Sequence, residues 1–338
     1  MDRDGGPSKA FRGSALGPPA TVSSVPVVRP PPLLPGDVVR VVAPSGPVEP
    51  EVLERGLSVL RDEWGLRVRV RPDVTVRHGF LAGGDGRRIA EWREAVADPD
   101  ARAIFVARGG YGAMRLLPAL DAGLLAARPR WVVGFSDATA LHAALNLAGL
   151  VTLHGPTVST LARAPAEARE HLRALLFGAD ALPSSAPGPG RGCVGTGVVT
   201  EGRASGPLAG GCLALLAHLC GTPWLPHLRG AILFIEDVDE RPYRLDRYLT
   251  QLRLAGALDG VAGVCVGQLS ACDDGGLRGA DTVREFVRAM GVPAIEGLSA
   301  GHVDANLALP LGAPATLVAP GPGEGGPPRL LFEAGARP

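Results

Sequence analysis

Short runs of apolar, often β-branched residues alternate with longer amphipathic segments from Gly36 onward, and this alternation limits the folds open to the chain. The runs of the first half predict strands over Asp37–Ala43, Leu66–Val70, Ala103–Ala107, Trp131–Phe135 and Val151–Leu153. The amphipathic segments predict helices over Glu49–Trp64, Asp85–Ala97 and Asp137–Leu147. Strands that alternate with helices form parallel sheets covered on both faces. The sequence therefore predicts an α/β protein with a Rossmann- or flavodoxin-like first domain.

Composition suggests the domain boundaries. A segment rich in Pro, Gly and Ser, ALPSSAPGPGRG over 181–192, has no periodicity and predicts a linker. It separates an N-terminal α/β domain over 36–180 from a smaller mixed α/β domain over 193–334. Residues 1–35 are also rich in Pro, Gly and Ser, and we expect them to form a disordered extension.

The second half has weaker patterns. Strands are predicted near Val194–Thr200, Ala231–Ile235 and Val261–Val266, and helices near Cys212–Leu219, Tyr243–Leu254 and Thr282–Met290. Three short strands are predicted to close the smaller domain: Leu307–Leu309, Ala315–Val318 and Arg329–Phe332.

Charge and cysteine content exclude several classes of function. The 34 basic and 34 acidic residues give no net charge, so nothing favours a nucleic-acid partner. The five cysteines form no C-x-x-C pair, which argues against a zinc site and predicts free thiols in a reducing compartment. No apolar run reaches the roughly 20 residues of a membrane span, and the start lacks the features of a secretion signal. These observations predict a cytoplasmic protein.

A serine occupies a sharp strand-to-helix turn in Gly134-Phe135-Ser136-Asp137. Such a turn lies at the carboxyl edge of a parallel sheet and at a helix N-terminus, where free N–H groups can stabilise an oxyanion. The turn resembles the nucleophile elbow G-x-S-x-G in part, because Ala138 replaces the final glycine. The simpler interpretation is that Ser136 or Asp137 caps the helix.

A glycine-rich turn, Arg108-Gly109-Gly110-Tyr111-Gly112, follows the third predicted strand. In a functional interpretation, the Gly109 or Gly110 amide completes an oxyanion hole, and Arg108 or Tyr111 contacts the substrate. The spacing fits neither phosphate-binding glycine motif, and an ordinary turn is the alternative.

Four carboxylates occur within five positions at the end of the apolar run ending at Ile235. Glu236 is the first polar side chain after that run, and the period of two directs Asp237 to the opposite face. Asp239 and Glu240 precede a helix that starts near Pro242, so capping is the simple interpretation for both. A Mg²⁺ or Ca²⁺ site lacks a second set of ligands, and we predict no metal site.

A histidine lies beside a glycine in Gly301-His302, within a polar turn, where it can be exposed and aimed. A lone histidine in a loop is more often a solvated surface residue. His154, after a predicted strand, is the rival candidate for a base, whereas His142 is interpreted as a packed or solvated helix residue. The chain thus supplies Ser136, Glu236 and His302 in the order serine, acid and histidine found in α/β-hydrolases.

The sequence from about Gly36 to Phe332 resembles the bacterial LD-carboxypeptidases, or muramoyltetrapeptide carboxypeptidases. The resemblance rests on the segments GDVVRVVAPSGPV, ARGGYGAMRLL, VVGFSDATALHAAL, HGPT, EGRASGPLAGG, ILFIEDVDERPYRLDRYLTQLRLAG and GHVDANLALPLG. It implies a serine peptidase that needs no cofactor. This peptidase would remove D-alanine from murein tetrapeptides during wall recycling. It also suggests a homodimer.

The resemblance also implies a role for individual residues. Ser136 would be the nucleophile, His302 its base and Glu236 the group that orients the base. The backbone amides of Gly110 and Asp137 would form the oxyanion hole.

One position departs from the family pattern, and two other functions compete. Cys212 stands where family members usually carry asparagine. If that asparagine contacts the substrate or bridges the domains, a cysteine would weaken the contact or alter specificity. A microcin C immunity-type peptidase, which cleaves an acyl linkage to a modified adenylate, uses related chemistry. A non-catalytic protein that binds a ligand between two domains is the alternative from another class.

Overall fold

The computed structural model describes residues 26–178 and 191–332 of the 338-residue chain. The sequence predictions for residues 1–25, for 181–190 of the predicted linker and for residues 333 and 334 fall outside these ranges. Gly192, assigned to the linker, already begins a strand.

The first half contains five strands and six α-helices among the described residues. In chain order they are β1 (Val38–Val42), α1 (Pro50–Ser58), β2 (Arg67–Val70), α2 (Asp85–Ala97), β3 (Ala101–Val106), α3 (Ala122–Ala127), β4 (Trp131–Gly134), α4 (Thr139–Leu147), β5 (Thr152–His154), α5 (Val158–Leu161) and α6 (Ala166–Phe177). A π-helical segment (Val59–Glu63) continues α1, and 3-10 segments cover Ala113–Ala119 and Ser136–Ala138.

The second half contains nine strands and three α-helices among the described residues. They are β6 (Gly192–Val194), β7 (Gly197–Thr200), β8 (Gly202–Cys212), α7 (Leu213–Leu219), β9 (Ile232–Val238), α8 (Pro242–Leu254), β10 (Gly263–Ser270), α9 (Gly279–Ala289), β11 (Ala294–Glu296), β12 (Leu309–Leu311), β13 (Pro314–Ala319) and β14 (Arg329–Phe332).

The first sheet has the strand order β12-β5-β4-β3-β1-β2, in which β1 to β5 run parallel. The order 2-1-3-4-5 of the parallel strands is that of flavodoxin-like folds. Alternate residues of its strands point into two different hydrophobic clusters. Val41 and Phe105 belong to one cluster, and Val42 and Ile104 belong to the other. Both faces of the sheet are therefore covered, as the apolar strands predict.

The second sheet is mixed and is the larger of the two, with eight strands in the order β6-β14-β13-β8-β9-β10-β11-β7. The long strand β8 pairs antiparallel with β13 through its first half and parallel with β9 through its second. The prediction of a mixed α/β second domain is confirmed, although its sheet is not the smaller one.

Strand β8 was not predicted, because its sequence GRASGPLAGGC lacks β-branched residues. Its glycines are required for packing rather than for turning. A Cβ on Gly206 would lie 2.1 Å from the Gly230 carbonyl oxygen, and one on Gly210 would lie 1.9 Å from the Phe234 oxygen. Close approach between neighbouring backbones selects glycine here and removes the usual strand pattern.

The prediction of disorder is wrong for residues 26–35. Leu33 is buried, its N–H donates to the Leu176 carbonyl over 2.8 Å, and the Trp131 indole N–H donates to the Pro31 carbonyl over 2.9 Å. Val28 forms a bridge with Leu150 beside the first sheet. A proline-rich composition does not prevent an extended segment from packing when apolar residues such as Leu33 find a buried site.

Strand β12 corrects a second prediction. The run around Leu309 was expected to help close the second domain, but Leu309–Leu311 pairs antiparallel with β5 at the edge of the first sheet. The chain thus crosses from the second half back to the first and then returns through β13. The two halves are linked through backbone hydrogen bonds as well as through the covalent chain.

The longest helices described, α2 and α8, have 13 residues each. Within residues 26–178 and 191–332, no helix has the length and hydropathy that crossing a membrane requires.

Candidate active site

Ser136 adopts a conformation that side chains usually avoid. Its φ of +63° follows the extended residue Phe135, and the chain enters a 3-10 turn and then α4 directly afterwards. A left-handed conformation at a residue other than glycine costs about 1–3 kcal/mol, so the surrounding fold must enforce it. The sharp turn leaves the Ser136 side chain half-buried at the end of β4 rather than pointing into the sheet. This geometry is that of a nucleophile elbow.

The capping interpretation of this turn is not supported. Among the described residues no side chain caps helix α4, and the Asp137 carboxylate instead accepts the Ala113 N–H over 2.7 Å. Asp137 is buried, which raises the pKa of its carboxyl. Its side chain therefore ties the elbow to the segment after the glycine-rich turn, and only its backbone amide is available for the predicted oxyanion role.

The glycine-rich turn lies against Ser136. A Cβ on Gly109 would lie 2.9 Å from the Ser136 Cβ and 3.0 Å from its Oγ, so only glycine fits. Gly110 has a φ of +114°, and its N–H donates no hydrogen bond within the described part of the chain. The Gly46 N–H anchors the turn by donating to the Gly109 carbonyl over 3.1 Å.

Glu236 lies in β9, and its side chain is fully buried. Oε1 has no hydrogen-bond partner among the described residues, so the bond made by Oε2 fixes the carboxylate. Gly301 packs directly on this group, since a Cβ there would lie 2.6 Å from Oε2, and its φ is +116°.

His302 connects the two halves. Its Nδ1 lies 2.8 Å from the Glu236 Oε2, and its Nε2 lies 3.0 Å from the Ser136 Oγ. A carboxylate only accepts, so Nδ1–H donates to Glu236, and the Ser136 hydroxyl donates to Nε2. The side chain of His302 is 19% exposed, which leaves the hydroxyl–imidazole pair open to a substrate. Three segments distant in sequence thus form a serine–histidine–acid series with the connectivity of a catalytic triad.

The loop carrying His302 is fixed at several points. The Ser270 hydroxyl donates to the His302 carbonyl over 2.9 Å, and the Gly301 N–H donates to the Asn306 Oδ1 over 2.9 Å. Strand β12 follows this loop and pairs Leu309 with His154 in the first sheet. His302 is therefore held in place by both halves of the molecule.

The other candidate histidines do not bond to Ser136. His142 is buried and makes a 2.8 Å hydrogen bond between its Nε2 and the Gly134 carbonyl, and burial lowers its pKa to about 4. His154 is also fully buried, and neither of its ring nitrogens has a hydrogen-bond partner among the described residues. The structure pairs Ser136 with His302 and not with the rival His154.

Asp237 and Cys212 form a separate buried group behind the site. Asp237 points away from Glu236, as the strand period predicts, and accepts the Ala214 N–H over 2.9 Å at the start of α7. The Cys212 Sγ lies 3.6 Å from the Asp237 Oδ1. Burial is the main reason that the pKa of Asp237 rises to about 6. Cys212 thus contacts an acid at a helix start.

The remaining carboxylates of this segment are not caps. Glu240 accepts from the Tyr248 hydroxyl and pairs with Arg244, and α8 has no side-chain cap. No group of three His, Cys, Asp or Glu residues could hold a metal ion within the two described ranges.

Two residues of the glycine-rich turn, Arg108 and Tyr111, are predicted to contact the substrate. The Arg108 Nη1 donates to the Pro47 carbonyl over 2.8 Å, and the guanidinium has no carboxylate partner among the described residues. Tyr111 is 51% exposed and meets the 66% exposed Phe80 edge to face, with ring centroids 5.4 Å apart. Phe80 was not identified from the sequence, because its loop carries no motif and only tertiary packing brings it to Tyr111.

Comparison with known proteins identifies relatives of both halves. Residues 39–155 match the family model of the LD-carboxypeptidase N-terminal domain, and residues 205–317 match that of the C-terminal domain. A Streptomyces coelicolor protein provisionally named a carboxypeptidase is 46% identical over 86% of this chain and 93% of its own length. The murein tetrapeptide carboxypeptidase of Pseudomonas aeruginosa is 34% identical over 82% and 92%.

Solved structures agree with this relationship. The muramoyltetrapeptide carboxypeptidase from Oxalobacter formigenes superposes with a TM-score of 0.74 at 30% identity, covering 87% of this chain and 98% of that protein. A more distant relative is the microcin C7 self-immunity protein of Escherichia coli, 26% identical over 83% of this chain and 90% of its own length.

Proposed function

The chain belongs to the LD-carboxypeptidase family, and on that premise we propose that it is a serine peptidase that removes the C-terminal D-alanine from murein tetrapeptides. The observation that carries the proposal is the hydrogen-bonded series of Ser136, His302 and Glu236, with 3.0 Å and 2.8 Å between its polar atoms. These are the distances that transfer of the serine proton to the imidazole needs.

Acylation begins when the Ser136 Oγ attacks the carbonyl carbon of the scissile amide and its proton passes to the His302 Nε2. The imidazole becomes positively charged, and the buried Glu236 carboxylate stabilises that charge through Nδ1–H. The strained elbow keeps the hydroxyl at the open end of the sheet, so attack requires little rearrangement.

The developing oxyanion needs donors beside Ser136, and we assign the backbone amides of Gly110 and Asp137 to this role. Gly109 lies against the serine, Gly110 directly follows Gly109, and Asp137 directly follows the nucleophile. Each such donor contributes about 10²–10³ in kcat.

Collapse of the tetrahedral intermediate requires a proton for the leaving amine, which His302 supplies from Nε2. The D-alanine leaves, and the remaining peptide is held as an ester on Ser136. His302 then activates a water that hydrolyses the ester and regenerates the free hydroxyl.

We assign three residues of the glycine-rich turn, Arg108, Gly109 and Tyr111, to substrate binding. Arg108 has a guanidinium without an acidic partner among the described residues, which suits the terminal carboxylate that a carboxypeptidase must recognise. Gly109 allows the substrate backbone to approach Ser136 closely, and the exposed Tyr111 offers an apolar contact.

The test is hydrolysis of L-Ala-γ-D-Glu-meso-diaminopimelate-D-Ala, compared with the same peptide ending in L-Ala. The D-Ala peptide should be cleaved and the L-Ala peptide should resist cleavage. Ser136→Ala should lower kcat about 10⁶-fold, since a triad loses most of its activity with the nucleophile. Full hydrolysis by a folded Ser136→Ala variant would contradict the nucleophile assignment.

A second candidate function has a specific observation behind it, the similarity to the microcin C7 self-immunity protein. An aminoacyl-sulfamoyl adenosine serves as the competing substrate in the same assay. Cleavage of this compound in preference to the tetrapeptide would assign the chain to the immunity branch. Binding of either compound without turnover would favour a non-catalytic binding protein.

We also propose that the enzyme works in the cytoplasm as a homodimer, on peptides released during wall recycling. Light scattering of the full chain would give the mass in solution, and a mass of one chain would contradict the dimer. Accumulation of tetrapeptide in a strain lacking the enzyme, in cytoplasmic extracts, would support the recycling role.

A further inference from the structure

Four rings form a continuous series between the two sheets. Phe234 of β9 meets His154 of β5 with centroids 5.0 Å apart, His154 meets Phe135 at 5.9 Å, and Phe135 meets His302 at 4.9 Å. All three contacts are edge to face, with interplanar angles of 76°, 68° and 62°. The series joins the strand that carries Glu236 to the residue before the nucleophile and to the imidazole that faces it.

His154 is the one polar member of the series that the proposed reaction does not use. It is fully buried, and neither ring nitrogen has a hydrogen-bond partner among the described residues. Ring contacts, rather than hydrogen bonds, therefore orient its side chain. A buried polar group without a partner destabilises a fold, so stability alone would favour an apolar residue here.

The position of His154 couples it to both sides of the site. In the first sheet it pairs with Gly134, which precedes the elbow by two residues, and with Leu309, which follows the His302 loop. A change in the ring at this position therefore reaches Ser136 through β4 and Phe135, and reaches His302 through β12 and Phe135.

The charge state of His154 agrees with a side chain that acts through ring contacts and carries no charge. Burial holds its pKa well below the usual range, and the nearby His142 and His302 lower it further. The imidazole therefore stays neutral and adds no positive charge next to His302, which must itself become charged during acylation.

We propose that His154 is a positioning residue, whose neutral ring is wedged between Phe234 and Phe135 and holds the Phe135 ring against His302, so that Nε2 stays within hydrogen-bond reach of Ser136. It touches no reacting atom and acts through Phe135. The inference rests on the proposed function for the pairing of Ser136 with its base His302 and for the choice of peptide substrate.

The test compares His154→Leu, which removes the ring, with His154→Phe, which keeps a ring and removes the nitrogens. Each variant is assayed for kcat and KM on the tetrapeptide, for the rate of Ser136 labelling by a fluorophosphonate, and for its melting temperature. His154→Leu should lower kcat and the labelling rate about 10- to 100-fold with KM changed less than about twofold, since small misplacements of reacting groups have such effects. His154→Phe should recover most of both rates.

A double-mutant cycle tests whether His154 acts through Phe135. Phe135→Leu and His154→Leu should each slow labelling, and the double variant should be little slower than the more affected single variant, because both break one series of contacts. Phe177→Leu is the matched control, since Phe177 forms an edge-to-face pair with Trp64 outside the site. This control should lower the melting temperature without changing kcat.

Three results would overturn the proposal: full kcat and labelling in His154→Leu, a folded His154→Phe as slow as His154→Leu, or additive effects in the cycle. If His154→Leu fails to fold, His154→Phe and Phe135→Leu decide the question. Failure of the proposed function is a separate result, in which the wild-type chain labels at Ser136 but leaves the tetrapeptide intact.

Discussion

The ends of β4 and β9 contribute to the same site by different means. At the end of β4 a strained backbone, with φ +63° at Ser136, aims a half-buried hydroxyl. Glu236 instead lies within β9, where complete burial controls its side chain. The proposed nucleophile must reach a substrate, so the backbone has to position it. The proposed orienting carboxylate must stay dry, so packing can hold it.

Both ends nevertheless depend on a glycine that approaches from another segment. Gly109 lies against Ser136, and its backbone conformation is one that other residues also adopt. Gly301 lies against Glu236, and its φ of +116° is one that favours glycine. The comparison suggests a larger tolerance on the nucleophile side, where the clash meets a small side chain, than on the carboxylate side, where it meets a buried charge.

Among the changes that test this comparison, the largest effect is expected from Glu236→Gln, which keeps the shape and removes the charge that we propose stabilises the His302 imidazolium. The kcat should fall about 10⁴-fold with the fold intact. Glu91→Gln is the matched control, because Glu91 is equally buried but pairs with Arg87 outside the site. The control should lose stability and keep kcat. Equal loss of kcat in both variants would show that Glu236 matters through stability.

Gly301→Ala should come next, with a fall in kcat of about 10²-fold, because the new Cβ would lie 2.6 Å from the Glu236 Oε2 and would shift His302. Gly276→Ala imposes a similar conformational strain at φ +84°, and no atom of the described residues lies within 4 Å of the new Cβ. The control should keep its kcat. If both variants lose only stability, the close approach at Gly301 has no part in orienting Glu236.

Gly109→Ala is expected to have a smaller effect, roughly tenfold in kcat, as overpacking of about 1–3 kcal/mol displaces the Ser136 hydroxyl. A Cβ on Gly84 would meet no atom within 4 Å in the part of the chain that the structure describes, so Gly84→Ala serves as its control in the same assay. If Gly109→Ala lowered kcat more than Gly301→Ala does, the nucleophile side would be the less tolerant of the two, which would contradict the comparison.

The smallest effect concerns stability and pH, and it tests the group behind β9. The pKa of Asp237 is raised to about 6 by burial, above the 3.8 of an unfolded chain. Between these values the folded state binds the additional proton, so stability should fall as pH rises from about 4 to 6 and then level off. Asp237→Asn should lack this fall. Melting temperatures of both proteins across this range provide the measurement, and parallel curves would contradict the assignment.

Periodicity predicted the parallel sheet well, since Asp85–Ala97 and the five strands of the first half were placed within a few residues. Apolar alternation is a local property, and local patterns survive in any fold that buries those faces. The sequence did not predict the glycine-rich strand β8 or the packing of residues 26–35. Neighbours far along the chain, rather than their own side-chain pattern, determine the structure of both segments.

The sequence by itself determined which residues could carry the chemistry, because Ser136, Glu236 and His302 each stand beside a readable strand or turn. The residues alone left His302 and His154 open and the family resemblance favoured His302, but only the tertiary structure shows that Ser136 lies against His302. The hydrogen bond joins residues 166 positions apart, and it depends on β12 crossing back into the first sheet. A contact between distant segments depends on how whole sheets pack, and no local pattern encodes that packing.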